Sequence, residues 1–143
     1  MVKRIVRPIL PILIIFSLIF SIANADTIQP RADTHFQGYG VTFGTTESGN
    51  LRVTITVTAV ETSAILGVPT FDIQQKISGI WTTVSDGNTG VQKTDTVTCT
   101  FSRIFGGVVE GEKYRVIATM YCKKYDGSAR SLEFTSQSYT LGA

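Results

Sequence analysis

The sequence is poor in the side chains that most metalloproteins and cysteine-dependent enzymes use. Its 143 residues include one histidine and two cysteines. A transition-metal site needs several His, Cys or carboxylate ligands, and a catalytic cysteine needs a histidine beside it. The serine-hydrolase G-x-S-x-G, the zinc-protease H-E-x-x-H, the P-loop and the dinucleotide-binding fingerprint are also missing. We therefore predict a protein that is not an enzyme, with no catalytic residues, no metal and no other cofactor.

The chain has no apolar run long enough to span a bilayer. Basic residues at positions 3, 4 and 7 precede an apolar run at 9–22, which ends in the small-residue pattern Ala23-Asn24-Ala25. The run is shorter than the ~20 residues that a membrane-spanning helix needs. This order of segments is typical of a secretory signal peptide. We predict that residues 1–25 are cleaved and that the protein is secreted, extracellular and without membrane attachment after cleavage.

A surplus of positive charge is missing as well. The chain has 13 Lys+Arg and 11 Asp+Glu, but three of the basic residues and none of the acidic ones lie in residues 1–25, which leaves 10 basic and 11 acidic residues. Nucleic-acid binding depends on a basic surface. We therefore predict no nucleic-acid partner.

The sequence has no helical periodicity of useful length and shows the alternation of β-strands instead. Apolar residues alternate with polar ones most clearly in 110–127, where Tyr114, Val116, Ala118, Met120 and Cys122 share one face, and again in 51–60. Further strands are predicted within 36–43, 69–76, 80–84, 93–103 and 131–141, with 61–68 as a connection. The pattern predicts a flexible lead-in at 26–34 and one domain at 35–143. That domain should be an all-β, antiparallel β-sandwich of about seven strands.

The two cysteines fall on the inward faces of their strands by this alternation. Cys99 and Cys122 lie on either side of a turn near Glu110, which would put them at similar heights. A bridge across the core is then reasonable if their strands belong to opposite sheets. Export would permit oxidation. We expect a disulfide between them, and the alternative is two buried, reduced thiols that act as small apolar residues.

The segment Glu112-Lys113-Tyr114-Arg115-Val116 resembles the tyrosine-corner strand of immunoglobulin-like and fibronectin type III-like domains. The resemblance implies that the Tyr114 hydroxyl bonds to nearby backbone. Two features depart from the immunoglobulin pattern: the strand at 51–60 has no cysteine, and Trp81 lies one strand later than the core tryptophan of that fold. A sandwich remains the expected architecture.

Residues 49–59, 65–84 and 111–141 are similar to a family of small secreted proteins from Gram-positive, clostridia-like bacteria. Those proteins pair a signal peptide with a single domain of this type and have no known function. The resemblance therefore implies no catalytic or binding residues.

Trp81 is the only tryptophan, and its role has two interpretations. It could stack on a sugar ring, or it could cover the sheet beside its hairpin partner, which we favour. The carboxylate pairs Asp86/Asp95 and Glu110/Glu112 are predicted to lie on solvated turns.

The expected function is a non-enzymatic extracellular module that binds an unknown ligand or protein through end loops or an exposed edge strand. Two alternatives belong to other classes. One is a small secreted hydrolase acting on glycans, which would need two carboxylates converging in a cleft. The other is a structural or bacteriocin-like secreted factor.

Overall fold

The structure, a computed structural model, describes residues 33–143. The predicted signal peptide and residues 26–32 lie outside the described residues. Seven strands and no helix are present in 33–143, so this part has no helix that could span a membrane. The strands are β1 (Phe36–Thr45), β2 (Leu51–Ile77), β3 (Ile80–Thr89), β4 (Gln92–Phe105), β5 (Lys113–Lys123), β6 (Ala129–Thr135) and β7 (Tyr139–Thr140). Every ladder among these strands is antiparallel, which confirms the all-β, antiparallel part of the predicted fold class.

Strand β2 organises the sheet. It is 27 residues long, and β3 and β4 return along one of its edges, from Ile77 opposite Ile80 to Leu51 opposite Phe105. The turn between β2 and β3 is Ser78-Gly79, with φ values of 50° and 81°. Positive φ at both central residues is the geometry of a type I′ turn, which matches the twist of paired strands. The result is one long hairpin.

The long hairpin bends over itself. Its register shifts between Thr58 and Ser63, where β2 has more residues than β4, and such a bulge bends a strand. Strand β1 pairs with the first half of β2 and β5 with the second, and β6 and β7 extend from β5. The two halves meet face to face: the ring centroids of Tyr39 and Phe134 lie 4.8 Å apart. The single sheet therefore curls around one core.

The inward face of β5 is as the sequence predicted. Tyr114, Val116, Ala118, Met120 and Cys122 are all buried. Because this alternation is unbroken over the strand, it fixes which side chains enter the core. Strand β5 lies between β2 on one edge and β6 on the other, so its ladders are satisfied on both sides over most of its length.

Several of the predicted strand limits are wrong, and β3, for example, continues through Asp86 to Thr89. Residues 61–68 are not a connection but the middle of β2, because the bulge lets Glu61 and Thr62 face solvent without ending the strand. The last predicted strand is split into β6 and β7 at Ser136. This side chain is buried, and its hydroxyl accepts a hydrogen bond from the Val116 N–H at 2.9 Å.

The two arms of the hairpin approach closely at its middle. The Val68 N–H donates to the Val91 carbonyl at 2.8 Å. A Cβ on Gly67 would lie 2.1 Å from that same oxygen, and a Cβ on Gly90 would lie 2.1 Å from the Val68 carbonyl oxygen. Only glycine fits at these two positions without moving backbone.

Candidate functional site

The predicted disulfide is wrong: Cys99 and Cys122 are both free and buried. Cys99 lies opposite Val57, and Cys122 lies opposite Leu66, on different edges of β2. The intervening strand separates β4 from β5 by about two inter-strand spacings of ~4.8 Å each, beyond the ~7 Å between Cα atoms that a bridge allows. Alternation placed both thiols in the core but could not show that β2 lies between their strands.

The thiols behave as buried side chains. The Cys99 Sγ donates to the Val91 carbonyl at 3.5 Å, and the Cys122 Sγ lies 3.3 Å from the Ser63 hydroxyl. Burial raises the pKa of Cys99, although nearby Lys93 opposes this effect. Since the thiolate is the reactive form, Cys99 is poorly suited to nucleophilic chemistry.

Tyr114 serves as an anchor for the loop that precedes β5. It is buried, and its hydroxyl accepts a hydrogen bond from the Val109 N–H at 2.8 Å. This bond ties residues 106–112 to the strand. The side chain is thus part of the core rather than of an exposed site.

Two depressions open at the end of the fold that carries the β2–β3 turn. The first, of about 320 Å³, is shallow and lined by Lys76, Ser78, Gly79, Gly111, Glu112 and Lys113. The second, of about 260 Å³, is lined by Ile73, Gln75, Val84, Ser85, Phe105, Gly106, Gly107, Val108 and Tyr114. Glu112 is the one carboxylate in the first and the second has none, so neither provides the carboxylate pair of a glycan hydrolase.

A polar cluster at the opposite end contains the side-chain types of a serine-hydrolase triad. The His35 Nε2 lies 3.2 Å from the Ser128 hydroxyl, and its Nδ1 lies 4.0 Å from an Asp33 oxygen. However, the Ser128 hydroxyl donates to Asp126 at 2.6 Å, as does its backbone N–H at 2.8 Å. These two bonds hold the pKa of Asp126 below its usual value. Ser128 therefore stabilises a turn, and its N–H is not free to bind an oxyanion.

Asp33 fixes the entry of the chain into β1. Its carboxylate accepts hydrogen bonds from the backbone N–H groups of His35 and Phe36, and it lies 2.6 Å from the Arg130 Nε. Burial raises the pKa of Asp33, but the two N–H donors and the guanidinium outweigh it and bring the pKa below 3.8. The carboxylate is a structural contact rather than an acid–base group.

The outer face of the sheet carries a basic–aromatic patch at the β2–β3 turn, formed by Lys76, Trp81, Lys113 and Arg115. Lys76 lies opposite Trp81 in the β2–β3 ladder. The β2–β5 ladder ends with Gln75 opposite Tyr114, so Lys76 and Lys113 follow as neighbours. Three adjacent strands thus bring the four side chains together.

Arg115 is held in place by two contacts. Its guanidinium carbon lies 4.4 Å from the centroid of the Trp81 ring, and its Nε donates to the Gln74 side-chain oxygen at 2.8 Å. Lys76 Nζ lies 5.8 Å from the same ring centroid. Cation–π contact and the hydrogen bond both restrict the guanidinium, while its two terminal nitrogens have no partner among residues 33–143.

No ion pair within the described part of the chain neutralises the charges of the patch. Within 33–143 the ion pairs join Asp33 with His35 and Arg130, and Glu61 with Lys124, all outside the patch. Glu112 lines the same depression as Lys76 and Lys113 and offsets part of their charge. Three cations and one carboxylate leave the surface net positive.

No pattern in the sequence predicts this patch. Its cations are scattered along the chain, and only the register of β2 with β5 brings them together. Alternation could place Arg115 on the outer face of β5, but not beside Trp81. The favoured interpretation of Trp81, as a cover for its hairpin partner, accounts for its contact with Lys76 and omits Arg115.

Comparison with known proteins gives no significant match to a family model, a curated protein or a solved structure. Function must therefore be argued from the geometry of the described residues.

Proposed function

We propose that this protein is a secreted, non-enzymatic binding module that acts outside the cell and takes a negatively charged ligand on the basic–aromatic patch. One observation carries the proposal: two cations, Lys76 and Arg115, lie over the ring of Trp81, a third, Lys113, follows beside Lys76, and none of the three has an ion pair within residues 33–143. The amino-terminal sequence pattern at residues 1–25 supports export.

The energetics of the patch favour a ligand. Like charges on neighbouring strands repel each other, so Lys76 near Lys113 carries a small cost to the fold that a bound anion would lower. Arg115 is already restrained by Trp81 and Gln74. A ligand therefore gains its charge-assisted hydrogen bonds without ordering a flexible side chain.

We also propose that the curled sheet is a variant of the immunoglobulin-like or fibronectin type III-like sandwich and that the chain belongs with the small secreted proteins of clostridia-like bacteria. The Tyr114 hydroxyl bond to Val109 supports the first of these proposals. The halves of the sheet that pack face to face support it too.

The test is binding to polyanions, with charge-matched variants. The purified protein is titrated onto immobilised polyglutamate and onto neutral dextran at low and physiological salt. The double variant Lys76→Gln/Lys113→Gln should bind polyglutamate about tenfold more weakly than wild type, for a loss of about 1.4 kcal/mol. The control, Lys93→Gln/Lys123→Gln, removes the same charge from exposed positions outside the patch. Equal losses in both variants would show that binding depends on net charge alone, and this would refute the patch as the binding site.

A further inference from the structure

We infer that the ligand is an acidic saccharide, whose carboxylate binds the terminal nitrogens of Arg115 while its ring lies against the indole of Trp81. This inference rests on the proposed function and names the ligand class for the same patch. It follows from what each side chain of the patch still has available for bonding.

The carboxylate fits the free end of Arg115. Since the Nε donates to Gln74, the donors that remain are on the two terminal nitrogens. These nitrogens form a planar, two-pronged edge whose spacing matches the two oxygens of a carboxylate. A stacked guanidinium cannot rotate freely, so this edge is presented in a fixed direction.

The ring fits the surface beside Arg115. The indole of Trp81 is half-buried on the outer face of the sheet, and the sugar ring would pack against the part of the indole that the Arg115 guanidinium leaves uncovered. Aromatic rings pack against the apolar C–H face of a sugar, while hydroxyl groups around it seek polar partners. Thr83 supplies one such partner: its oxygen accepts from the Gln74 amide at 3.3 Å, which leaves its own hydrogen free to donate.

Lys76 and Lys113 extend the positive surface beyond the single Arg115 site. Both line the shallow depression next to the β2–β3 turn. A polymer with a charge on each sugar would place a second carboxylate within reach of them. Nucleic acid is the less suitable polyanion, because its affinity depends on many phosphate contacts and the patch offers three cations on a chain that is slightly acidic after residue 25.

The test separates charge from ring. Because Trp81 is the only tryptophan, its emission reports on the patch directly. The purified protein is titrated with polygalacturonate, which has charge and ring, with polyglutamate, which has charge alone, and with dextran, which has the ring alone. Polygalacturonate should shift the emission and bind about five- to tenfold more tightly than polyglutamate, and dextran should not bind.

Two variants test the roles assigned to single side chains. Arg115→Lys keeps the charge but loses the planar edge, and it should weaken polygalacturonate binding about tenfold, measured by calorimetry. Glu112→Gln removes the one carboxylate of the depression and should strengthen binding about two- to threefold. The melting temperature of each variant, compared with that of wild type, tests whether the variant keeps the fold.

The outcomes distinguish this inference from the proposed function. If polyglutamate binds as tightly as polygalacturonate, the saccharide inference is wrong and the anionic binding surface stands. If a single-stranded oligonucleotide binds more tightly than polygalacturonate, the saccharide inference is again wrong and the anionic binding surface again stands. If no polyanion binds, the proposed function itself fails.

Discussion

Replacing Gly67 with alanine should destabilise the fold, because this residue lies where the two arms of the long hairpin come closest. The new Cβ would lie 2.1 Å from the Val91 carbonyl oxygen and 2.6 Å from the Gln92 Cα. Real Cβ contacts essentially never fall below 3.0 Å, so the arms must separate by about an ångström. That movement also stretches the hydrogen bond from the Val68 N–H to Val91, now 2.8 Å long.

The expected cost follows from three contributions. Overpacking against backbone, which cannot rotate away, costs about 1–3 kcal/mol. A weakened backbone hydrogen bond adds about 1 kcal/mol. The change from glycine to alanine also restricts the unfolded chain, which offsets about 0.4–1 kcal/mol of this loss. The net loss in the free energy of unfolding should be about 1–3.5 kcal/mol, or roughly 5–15 °C in Tm for a domain of this size.

Gly44→Ala is the matched control. Gly44 lies in β1, has no heavy atom within 4 Å of an added Cβ, and has no positive φ. It should leave stability within about 1 kcal/mol of wild type. Urea unfolding followed by circular dichroism measures both variants. Equal stability of Gly67→Ala and Gly44→Ala would refute the close approach of the two arms and, with it, the continuous hairpin.

Three further predictions concern the buried polar groups. The protein, unfolded without reductant, should show two titratable thiols per chain, from Cys99 and Cys122. A count of zero would mean that the two cysteines form a disulfide. The folded-state pKa of Asp33 is depressed below 3.8, so its contribution is present above that value and lost as pH falls through the folded pKa. The stability deficit of Asp33→Asn at neutral pH should therefore shrink between about pH 5 and pH 2, and a deficit independent of pH would contradict this. Tyr114→Phe should lose about 1–2 kcal/mol with the hydroxyl bond, while Tyr125→Phe, at an exposed ring, should not; equal effects would remove the anchoring role.

The sequence was most informative where alternation is unbroken. In β5 every second residue from Tyr114 to Cys122 is buried, and in the first half of β2 the same rule holds from Leu51 to Ala59. In these stretches one face enters the core and the other is hydrated, so the side-chain pattern alone fixes the strand and its orientation. The all-β antiparallel class follows from such stretches.

Prediction failed where local signals and tertiary structure diverge. Gly67 and Pro69 are typical of loops, but in β2 they lie where the ladder to β5 is shifted, and a shifted ladder tolerates both residues. Alternation also fixes only the face of a strand, not its neighbours. For that reason the sequence could not place β2 between Cys99 and Cys122.

The basic–aromatic patch was beyond sequence reasoning for the same reason. Trp81 meets Arg115 across β2, and the contact depends on two separate ladders, β2 with β3 and β2 with β5. No spacing along the chain encodes that meeting. Only the order of the strands shows that an indole and three cations share one surface.

If an acidic saccharide binds at Trp81 and Arg115, NMR can map the bound surface residue by residue. The ¹⁵N-labelled protein is titrated with trigalacturonate, and the shifts of backbone and side-chain N–H signals are followed. We expect the Trp81 indole N–H and the Arg115 Nε–H to shift most, together with the amides of residues 74–76. Largest shifts at the second depression or around Ser128, or no shifts up to millimolar ligand, would contradict it.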